Sequence, residues 1–302
     1  MHHALVTTTW NSIDLIGRYL AHYRALGFDR ALVMDFDSTD GTRELLTSDV
    51  WQEFVEPVPF PGIALLQSSN LMLALARERY GPDTWCMYCD PDELLVTPSM
   101  RVDDLLPAPG VEVVSIPRFN VTGLRSIARH EPDRLSAADA LTLRIDGRVT
   151  RTPHVDIHRE RLEPSWIFTA IPGKVFVRVG GTTSIGEGDH IAETRGSAVS
   201  AAAPGVYLLH YPFRGYSTFQ EKIDLARIGF ETNPQLSEAH GWQVRRWIRL
   251  AQTDRLYDEY LQQFIADEDA SRLLADGTLV ADDNVRRFHL DRVRARTVAT
   301  LS

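Results

Sequence analysis

Short apolar runs alternate with segments of helical periodicity along the first third of the chain. The runs have the length and composition of β-strands and lie at residues 4–8, 30–35, 52–58 and 84–90. Apolar residues recur at helical spacing from Ile13 to Leu26, and Gly27 is expected to end that helix. A second helical pattern covers residues 64–81. This order predicts an α/β fold with a mostly parallel sheet flanked by helices.

The pattern changes after about residue 100. Further strand-like runs lack regular crossover helices and lie at residues 112–121, 141–145, 174–179 and 205–211. From Tyr216 the chain has helical periodicity almost to its end. We therefore predict a ligand-binding α/β domain over residues 1–215 and a mainly helical C-terminal segment over residues 216–302.

Composition and charge narrow the classes of partner. The 302 residues carry a formal net charge of -9 and have a pI of about 5.6. This balance disfavours nucleic acids and anionic membrane surfaces as main partners. The sequence has no apolar stretch of membrane-spanning length and no signal-peptide pattern at its start, so we expect a cytoplasmic location.

The two cysteines, Cys86 and Cys89, have the C-x-x-C spacing of some redox and metal sites. They fall within the fourth apolar run, and side chains three positions apart on a strand point to opposite faces. They could not meet on one ion in that arrangement. We predict that both are small buried core residues.

Three acids, Asp90, Asp92 and Glu93, follow the fourth apolar run directly. Ligands of parallel sheets bind at the carboxyl ends of the strands, which is where these acids are expected to lie. Side chains two apart in an extended segment project to one side, so Asp90 and Asp92 could share a hard cation such as Mg²⁺ or Mn²⁺. A bare D-x-D is short and common, and a solvated turn would explain it equally well.

Two longer segments, residues 7–42 and 83–98, together resemble the family-2-like glycosyltransferases of GT-A fold. The resemblance is to the branch with a D-x-D-E type motif after the fourth strand. It continues more loosely through residues 173–179 and 207–223. The chain departs from the family pattern at Ser12, where Glu is usual, and at Asp37, where Asn is usual.

The resemblance implies a UDP-, GDP- or dTDP-sugar donor bound at the carboxyl edge of the sheet. The positions that match donor-binding residues are Thr7, Thr9, Asp35, Asp37, Asp90 and Lys174. Those that match ligands of Mn²⁺ or Mg²⁺ are Asp90, Asp92 and His210. The acceptor would be a small molecule, a glycan or a peptide.

Enzymes of this branch invert configuration at the sugar carbon, so a general base must take the acceptor's proton. Residues 185–194 supply four candidates among glycines, Glu187, Asp189, His190 and Glu193. We select Asp189 as the base. A solvated acidic loop is the competing interpretation of this segment.

Other polar and aromatic residues are weaker candidates. His154, Asp156 and His158 alternate on one side of an extended segment, where a polar strand face is the more usual explanation than metal binding. Trp166 and Arg118 could line an acceptor groove, although a tryptophan in this context is more often part of a core.

Two alternative functions remain open at the level of sequence. A sugar-1-phosphate nucleotidyltransferase would favour a glycine-rich, basic loop after the first strand, and residues 7–12 have neither feature. A non-catalytic nucleotide-sugar-binding protein could use the same fold, because a fold alone does not confer activity.

Overall fold

The computed structural model describes residues 2–62, 65–131, 133, 141–146, 164–196, 198–232 and 241–301. The chain divides into two compact units, each built from two segments: Met1–Arg118 with Pro172–His210, and Phe119–Ile171 with Tyr211–Ser302. The division into functional domains at residues 1–215 and 216–302 stays a prediction.

The strands follow the predicted apolar runs closely in the first third of the chain. In chain order they are β1 (His3–Thr9), β2 (Arg30–Asp35), β3 (Val55–Pro59), β4 (Trp85–Tyr88), β5 (Glu93–Val96), β6 (Val111–Ile116), β7 (Arg118–Thr122), β8 (Leu143–Ile145), β9 (Lys174–Arg178), β10 (Thr182–Ile185), β11 (Ala192–Thr194), β12 (Ala198–Ala201), β13 (Tyr207–His210) and β14 (Leu279–Ala281).

Helices dominate the C-terminal part of the chain. They are α1 (Ile16–Leu26), α2 (Thr42–Leu46), α3 (Leu65–Tyr80), α4 (Arg125–His130), α5 (Tyr216–Thr232), α6 (Trp242–Ala251), α7 (Leu256–Gln262), α8 (Asp267–Ala275) and α9 (Asn284–Leu301). Short 3₁₀ helices span Val102–Leu105, Trp166–Phe168 and Glu187–Asp189.

A seven-stranded sheet forms the core of the first unit, in the order β12-β6-β9-β4-β1-β2-β3. The first four strands of the chain are adjacent and parallel, and β9 runs antiparallel between β4 and β6. The predicted fold class, an α/β fold with a mostly parallel sheet flanked by helices and a mainly helical C-terminal segment, is confirmed.

Burial explains why the central strands lack a polar face. Every residue of β4 is buried, and all of β2 except Arg30 is buried, as expected for parallel strands covered on both sides. Cys86 and Cys89 are free and buried, which confirms the core interpretation of the C-x-x-C spacing. Helix α1 ends at Gly27, whose φ of 99° is the left-handed conformation that favours glycine.

A second strand pairing in the first unit positions two candidate ligands. Strands β5 and β13 are antiparallel, with Glu93 directly opposite His210. Opposite residues of an antiparallel pair project from the same face of the sheet. This register therefore brings together the side chains of two residues that lie far apart in sequence.

An aromatic cluster packs the second unit, and Trp166 belongs to it. Trp166 lies 5.5 Å from Trp247 and 5.7 Å from Phe213 between ring centroids, in edge-to-face geometry. Such pairs contribute about 0.5–1.5 kcal/mol each beyond the area that they bury. Trp166 is thus a core residue, as its sequence context favoured.

Among the described residues, no helix combines the length and apolar character that crossing a membrane requires.

Candidate functional site

A four-residue turn, Asp90 to Glu93, leads from β4 into β5. The Glu93 N–H donates to the Asp90 carbonyl at 3.0 Å, and the Asp90 N–H donates to Glu93 Oε2 at 2.9 Å. Two hydrogen bonds between Asp90 and Glu93 therefore close the turn. The Glu93 side chain is wholly buried, whereas that of Asp90 is 45% exposed. The turn keeps one acid inside the protein and presents another at the carboxyl edge of the sheet.

The buried Glu93 carboxylate has two cationic neighbours. Its Oε1 accepts a hydrogen bond from Arg118 Nη1, and its Oε2 lies 3.7 Å from Lys174 Nζ. Burial raises the pKa of Glu93 to about 7, although Lys174 and Arg118 act in the opposite direction. Arg118 Nε also donates to the Pro172 carbonyl at 3.0 Å. The Arg118 guanidinium is therefore held by two acceptors, the Glu93 carboxylate and the Pro172 carbonyl.

Lys174 lies close to three members of the acid cluster, which we define as Asp90, Asp92, Glu93 and Asp189. Its Nζ donates to Asp90 Oδ2 at 2.7 Å and to the Gly188 carbonyl at 2.9 Å, and it lies 4.0 Å from Asp189 Oδ2. Burial favours the neutral amine, but the surrounding carboxylates outweigh it and raise the pKa of Lys174. Desolvation opposes ionisation of Asp90, and the Lys174 ammonium overcomes this and lowers the pKa of Asp90.

Asp189, the predicted base, lies in the turn that follows β10. Its Oδ1 accepts a hydrogen bond from Ser69 Oγ at 2.5 Å. Burial raises the pKa of Asp189, while Lys174 and the Ser69 hydroxyl lower it in part. The structure thus places Asp189 beside the other acids, through their shared neighbour Lys174.

His190 follows Asp189, and a hydrogen bond of its imidazole ring fixes the orientation of the side chain. Its Nδ1 lies 2.7 Å from the Gly173 carbonyl, so Nδ1 carries the proton and donates. Burial and, to a smaller extent, the positive charge of Lys174 lower the pKa of His190 to about 4. The imidazole is therefore neutral at physiological pH.

His210 approaches the acids from β13. Its Nε2 lies 3.8 Å from Asp92 Oδ2, and both side chains are about nine-tenths buried, with 10% and 11% exposed. Asp92, Glu93 and His210 each offer one ligand atom, and these atoms lie within 4.8 Å of one another. Carboxylate oxygens and imidazole suit Mg²⁺ and Mn²⁺. Asp90 stands outside this group, and its place in the expected ligand set stays a prediction.

The acids after β2 have a different environment. Asp35 accepts hydrogen bonds from the Ser38 hydroxyl and N–H, the latter at 3.2 Å, and from Arg43 Nε at 2.9 Å. Asp37 accepts from Arg43 Nη2 at 2.7 Å and has a left-handed φ of 57°. Arg43 thus bridges the two carboxylates that the resemblance assigns to the donor.

Thr7 and Thr9, two of the three threonines of β1, lie toward the carboxyl end of that strand. Thr9 is the register partner of Asp35. The Thr9 Oγ1 is buried, with no hydrogen-bond partner among the described residues, and Thr7 Oγ1 donates to the Thr8 carbonyl at 3.2 Å. Both threonines therefore lie near the carboxyl edge of the sheet, and their role in donor binding stays a prediction.

The remaining sequence candidates lie apart from the cluster or outside the description. Glu193 accepts a hydrogen bond from Ser184 on the neighbouring strand at 2.8 Å and is exposed, as is Glu187. His154, Asp156 and His158 fall outside the described residues.

Sequence reasoning missed two features of this site. The pairing of Arg118 with Glu93 and the contact of Ser69 with Asp189 join residues far apart along the chain. The sequence suggests Arg118 only as a possible lining of an acceptor groove, and Ser69 falls inside a helical pattern that is predicted from its apolar residues. No local spacing indicates either contact.

Comparisons with known proteins give a weak structural likeness. No protein-family model matches this chain, and no curated protein matches it. Solved structures similar to it include S. aureus TarS, at 14% identity and a TM-score of 0.40, over 81% of this chain and 42% of that one. TarS 1-349 in complex with UDP-GlcNAc has the same identity and TM-score, over 98% of this chain and 92% of that one.

A mycobacterial protein is similar over a shorter length. Its identity is 19% and its TM-score is 0.29, over 39% of this chain and 41% of that one. This chain spans less than half of the full TarS chain. Likenesses at these TM-scores support no conclusion about the activity of this protein.

Proposed function

We propose that this protein is a glycosyltransferase that moves a sugar from a nucleotide-sugar donor to an acceptor, with a divalent cation and with inversion at the sugar carbon. The observation that supports it best is the proximity of Asp92 and His210, whose Oδ2 and Nε2 atoms lie 3.8 Å apart beside the turn that follows β4 at the carboxyl edge of the sheet. Ligands of open α/β sheets bind at this edge. The D-x-D-E resemblance supports the same placement.

The chemistry of these side chains fits a divalent cation. In this proposal Asp90, Asp92 and His210 hold Mn²⁺ or Mg²⁺, and Glu93 remains the buried partner of Arg118. When bound, the cation would neutralise charge that develops on the leaving nucleoside diphosphate. Asp92 and His210 are already neighbours, so little rearrangement is needed to place both on one ion.

Lys174 and Asp189 have separate roles in the proposal. Lys174 keeps a positive charge at the carboxyl edge, where a diphosphate would meet it, because its carboxylate neighbours raise the pKa of its ammonium. Asp189 is the proposed base for the acceptor's proton. Its raised pKa makes its carboxylate a better proton acceptor than an exposed aspartate.

The nucleoside end of the donor is proposed to lie beside Thr7, Thr9, Asp35 and Asp37. Thr7 and Thr9 lie in β1, whereas Asp35 and Asp37 lie at the end of β2 and just after it, and β1 pairs with both β2 and β4 in the sheet. Arg43 holds both acids, so it belongs to the surface that a nucleoside would meet. The sugar, the nucleotide and the acceptor are left open by this placement.

Donor hydrolysis tests the proposal without an identified acceptor. Purified protein is incubated with UDP-, GDP- and dTDP-sugars, with Mn²⁺ or with a chelator, and nucleoside diphosphate release is measured. We expect release from at least one donor, dependent on the cation and lost in Asp92→Asn. Asp49→Asn, an exposed acid between α2 and β3, is the matched control and should keep full activity.

The same assay separates the alternatives. Tight donor binding without any release would indicate a non-catalytic binding protein. Formation of a nucleotide sugar from a nucleoside triphosphate and a sugar 1-phosphate, with pyrophosphate release, would indicate a nucleotidyltransferase. Full activity of the chelator-treated protein would contradict the role of the cation.

A further inference from the structure

Helix α3 holds the segment that carries Asp189 through polar side chains. The Asn70 side-chain N–H donates to the Ile185 carbonyl at 3.0 Å, and its Oδ1 accepts from the Ile185 N–H at 2.9 Å. Asn70 therefore satisfies both backbone groups of Ile185, as a neighbouring strand would. Residue 185 is fixed at the end of β10, where the turn begins.

Arg77, also on α3, bonds to backbone carbonyls that precede Ile185 in the chain. Its guanidinium donates to the Val179 carbonyl at 2.7 Å and to the Thr182 carbonyl at 2.6 Å. Arg77 and Asn70 are seven positions apart, two turns of the helix, and so lie on one face of α3. The residues before the turn are thus bonded to α3 at several points.

The turn itself has an unfavourable backbone conformation, which contacts with neighbouring residues must stabilise. Asp189 has a φ of 60° and Gly188 a φ of 66°, both in the left-handed region. That region is unfavourable for residues other than glycine. A Cβ on Gly188 would lie 2.7 Å from His190 Nε2, so glycine is required there.

This conformation directs two groups of the turn at Lys174. The Gly188 carbonyl accepts from Lys174 Nζ at 2.9 Å, and Asp189 Oδ2 lies 4.0 Å from it. The other oxygen of Asp189 accepts from Ser69 Oγ at 2.5 Å. The carboxylate is therefore held between a helix hydroxyl and the ammonium.

We propose that Ser69 and Asn70 are positioning residues: through them α3 sets the place of the Asp189 carboxylate beside Lys174. Ser69 acts on the carboxylate directly, and Asn70 acts on the backbone of the turn. The inference rests on the proposed function, in which Asp189 takes the acceptor's proton. It assigns a role to the polar Ser69-Asn70 pair that the apolar periodicity of this helix does not explain.

Four variants test the assignment with donor hydrolysis and hydrogen exchange. Ser69→Ala removes the hydroxyl, Ser69→Thr keeps it, and Asn70→Ala removes both bonds to Ile185. Gln67→Ala, an exposed residue on the same helix, is the matched control. For each variant we measure kcat and KM for the donor, nucleoside diphosphate affinity by calorimetry, and amide exchange of residues 185–194 by mass spectrometry.

We expect kcat to fall about tenfold or more in Ser69→Ala, since small misplacements of a catalytic group carry large rate penalties. The donor KM and nucleotide affinity should stay within about twofold, because neither residue is placed on the donor, and Ser69→Thr should restore most of kcat. Asn70→Ala should lower kcat and make the 185–194 amides exchange faster. If Asn70→Ala does not fold, Asn70→Asp replaces it, because it keeps the acceptor for the Ile185 N–H and loses the donor.

Two results would overturn the assignment. One is wild-type kcat in both Ser69→Ala and the Asn70 variant. The other is unchanged exchange of residues 185–194 in the Asn70 variant. If the wild-type protein released nucleotide from no donor, the proposed function would fail, and the exchange measurement alone would decide whether α3 holds the turn.

Discussion

Two D-x-D sequences end neighbouring parts of the same sheet, and their surroundings differ. Asp35 is the last residue of β2 and Asp37 lies two positions after it, whereas Asp90 and Asp92 both follow β4. Both strands pair in parallel with β1, so the two acid pairs share the carboxyl edge. Spacing and location are therefore the same for both.

The difference lies in where the partners come from. Arg43, a few residues further along the chain, bonds both Asp35 and Asp37. Asp90 instead meets Lys174, which is 84 positions away, and Asp92 lies near His210, which comes from another strand. A short-range arginine bridges the first pair, whereas long-range contacts assemble the second into a cluster.

This comparison shows that the D-x-D spacing alone does not define a cation site. The Arg43 guanidinium bridges the first pair. In the second pair, the His210 imidazole and the Glu93 carboxylate lie close to Asp92. In the proposed function the first pair meets the nucleoside and the second pair meets the cation. The following predictions test that division of roles.

The largest effect is expected from Asp92→Asn. Loss of a charged ligand should lower donor turnover more than the roughly 10–100-fold that the loss of an outer-shell partner causes. The melting temperature should change little, because Asp92 lies in a turn between strands. Activity of Asp92→Asn near that of the wild type would contradict the assignment, and Asp37→Asn is the corresponding change in the other pair.

A large loss of stability is expected from Glu93→Gln. Removing one partner of a buried ion pair leaves Arg118 without its carboxylate, and such changes cost about 3–5 kcal/mol in the free energy of unfolding. Denaturant unfolding measures this. Asp83→Asn, which breaks an exposed pair with Arg178, is the control and should cost about 0–1 kcal/mol. Equal small losses in both variants would show that Glu93 does not anchor the turn.

A moderate effect on nucleotide binding is expected from Asp35→Ala. Loss of a hydrogen bond to a charged group should weaken nucleoside diphosphate affinity about tenfold, and the loss should persist without cation. Calorimetry with and without Mn²⁺ measures both. If Arg43→Ala weakens binding as much, the arginine also contacts the nucleoside. Unchanged affinity in Asp35→Ala, for every nucleotide that binds, would contradict the placement.

The smallest effect is expected from His210→Ala. Water can occupy a vacated position on Mg²⁺ or Mn²⁺, so turnover should fall less than in Asp92→Asn, and added Mn²⁺ should restore part of it. Titration of activity against Mn²⁺ concentration makes the comparison. A His210→Ala loss larger than that of Asp92→Asn would reverse the order of importance of the two ligands.

Local sequence patterns are sufficient to predict the first four strands and the location of the acids that follow them. Strand β2 covers residues 30–35 as the apolar run predicted, and β4 lies within the run at 84–90. These features follow from local patterns, because a strand buried on both faces must be apolar throughout. The acids that follow such a strand must then lie at its carboxyl end. The C-terminal helices were predictable from the helical periodicity of that segment, whereas the short strand β14 within it was not predicted.

The residues that meet those acids depend on how distant strands pair, which local patterns do not show. The sequence predicted a strand at 174–179 but not its position between β4 and β6, and that position brings Lys174 to Asp90. The register of β5 against β13 places His210 opposite Glu93. The order and register of distant strands depend on packing over the whole core, which leaves no periodic signal in a local stretch of chain. The site therefore combines a locally encoded acid turn with partners that long-range strand pairing supplies.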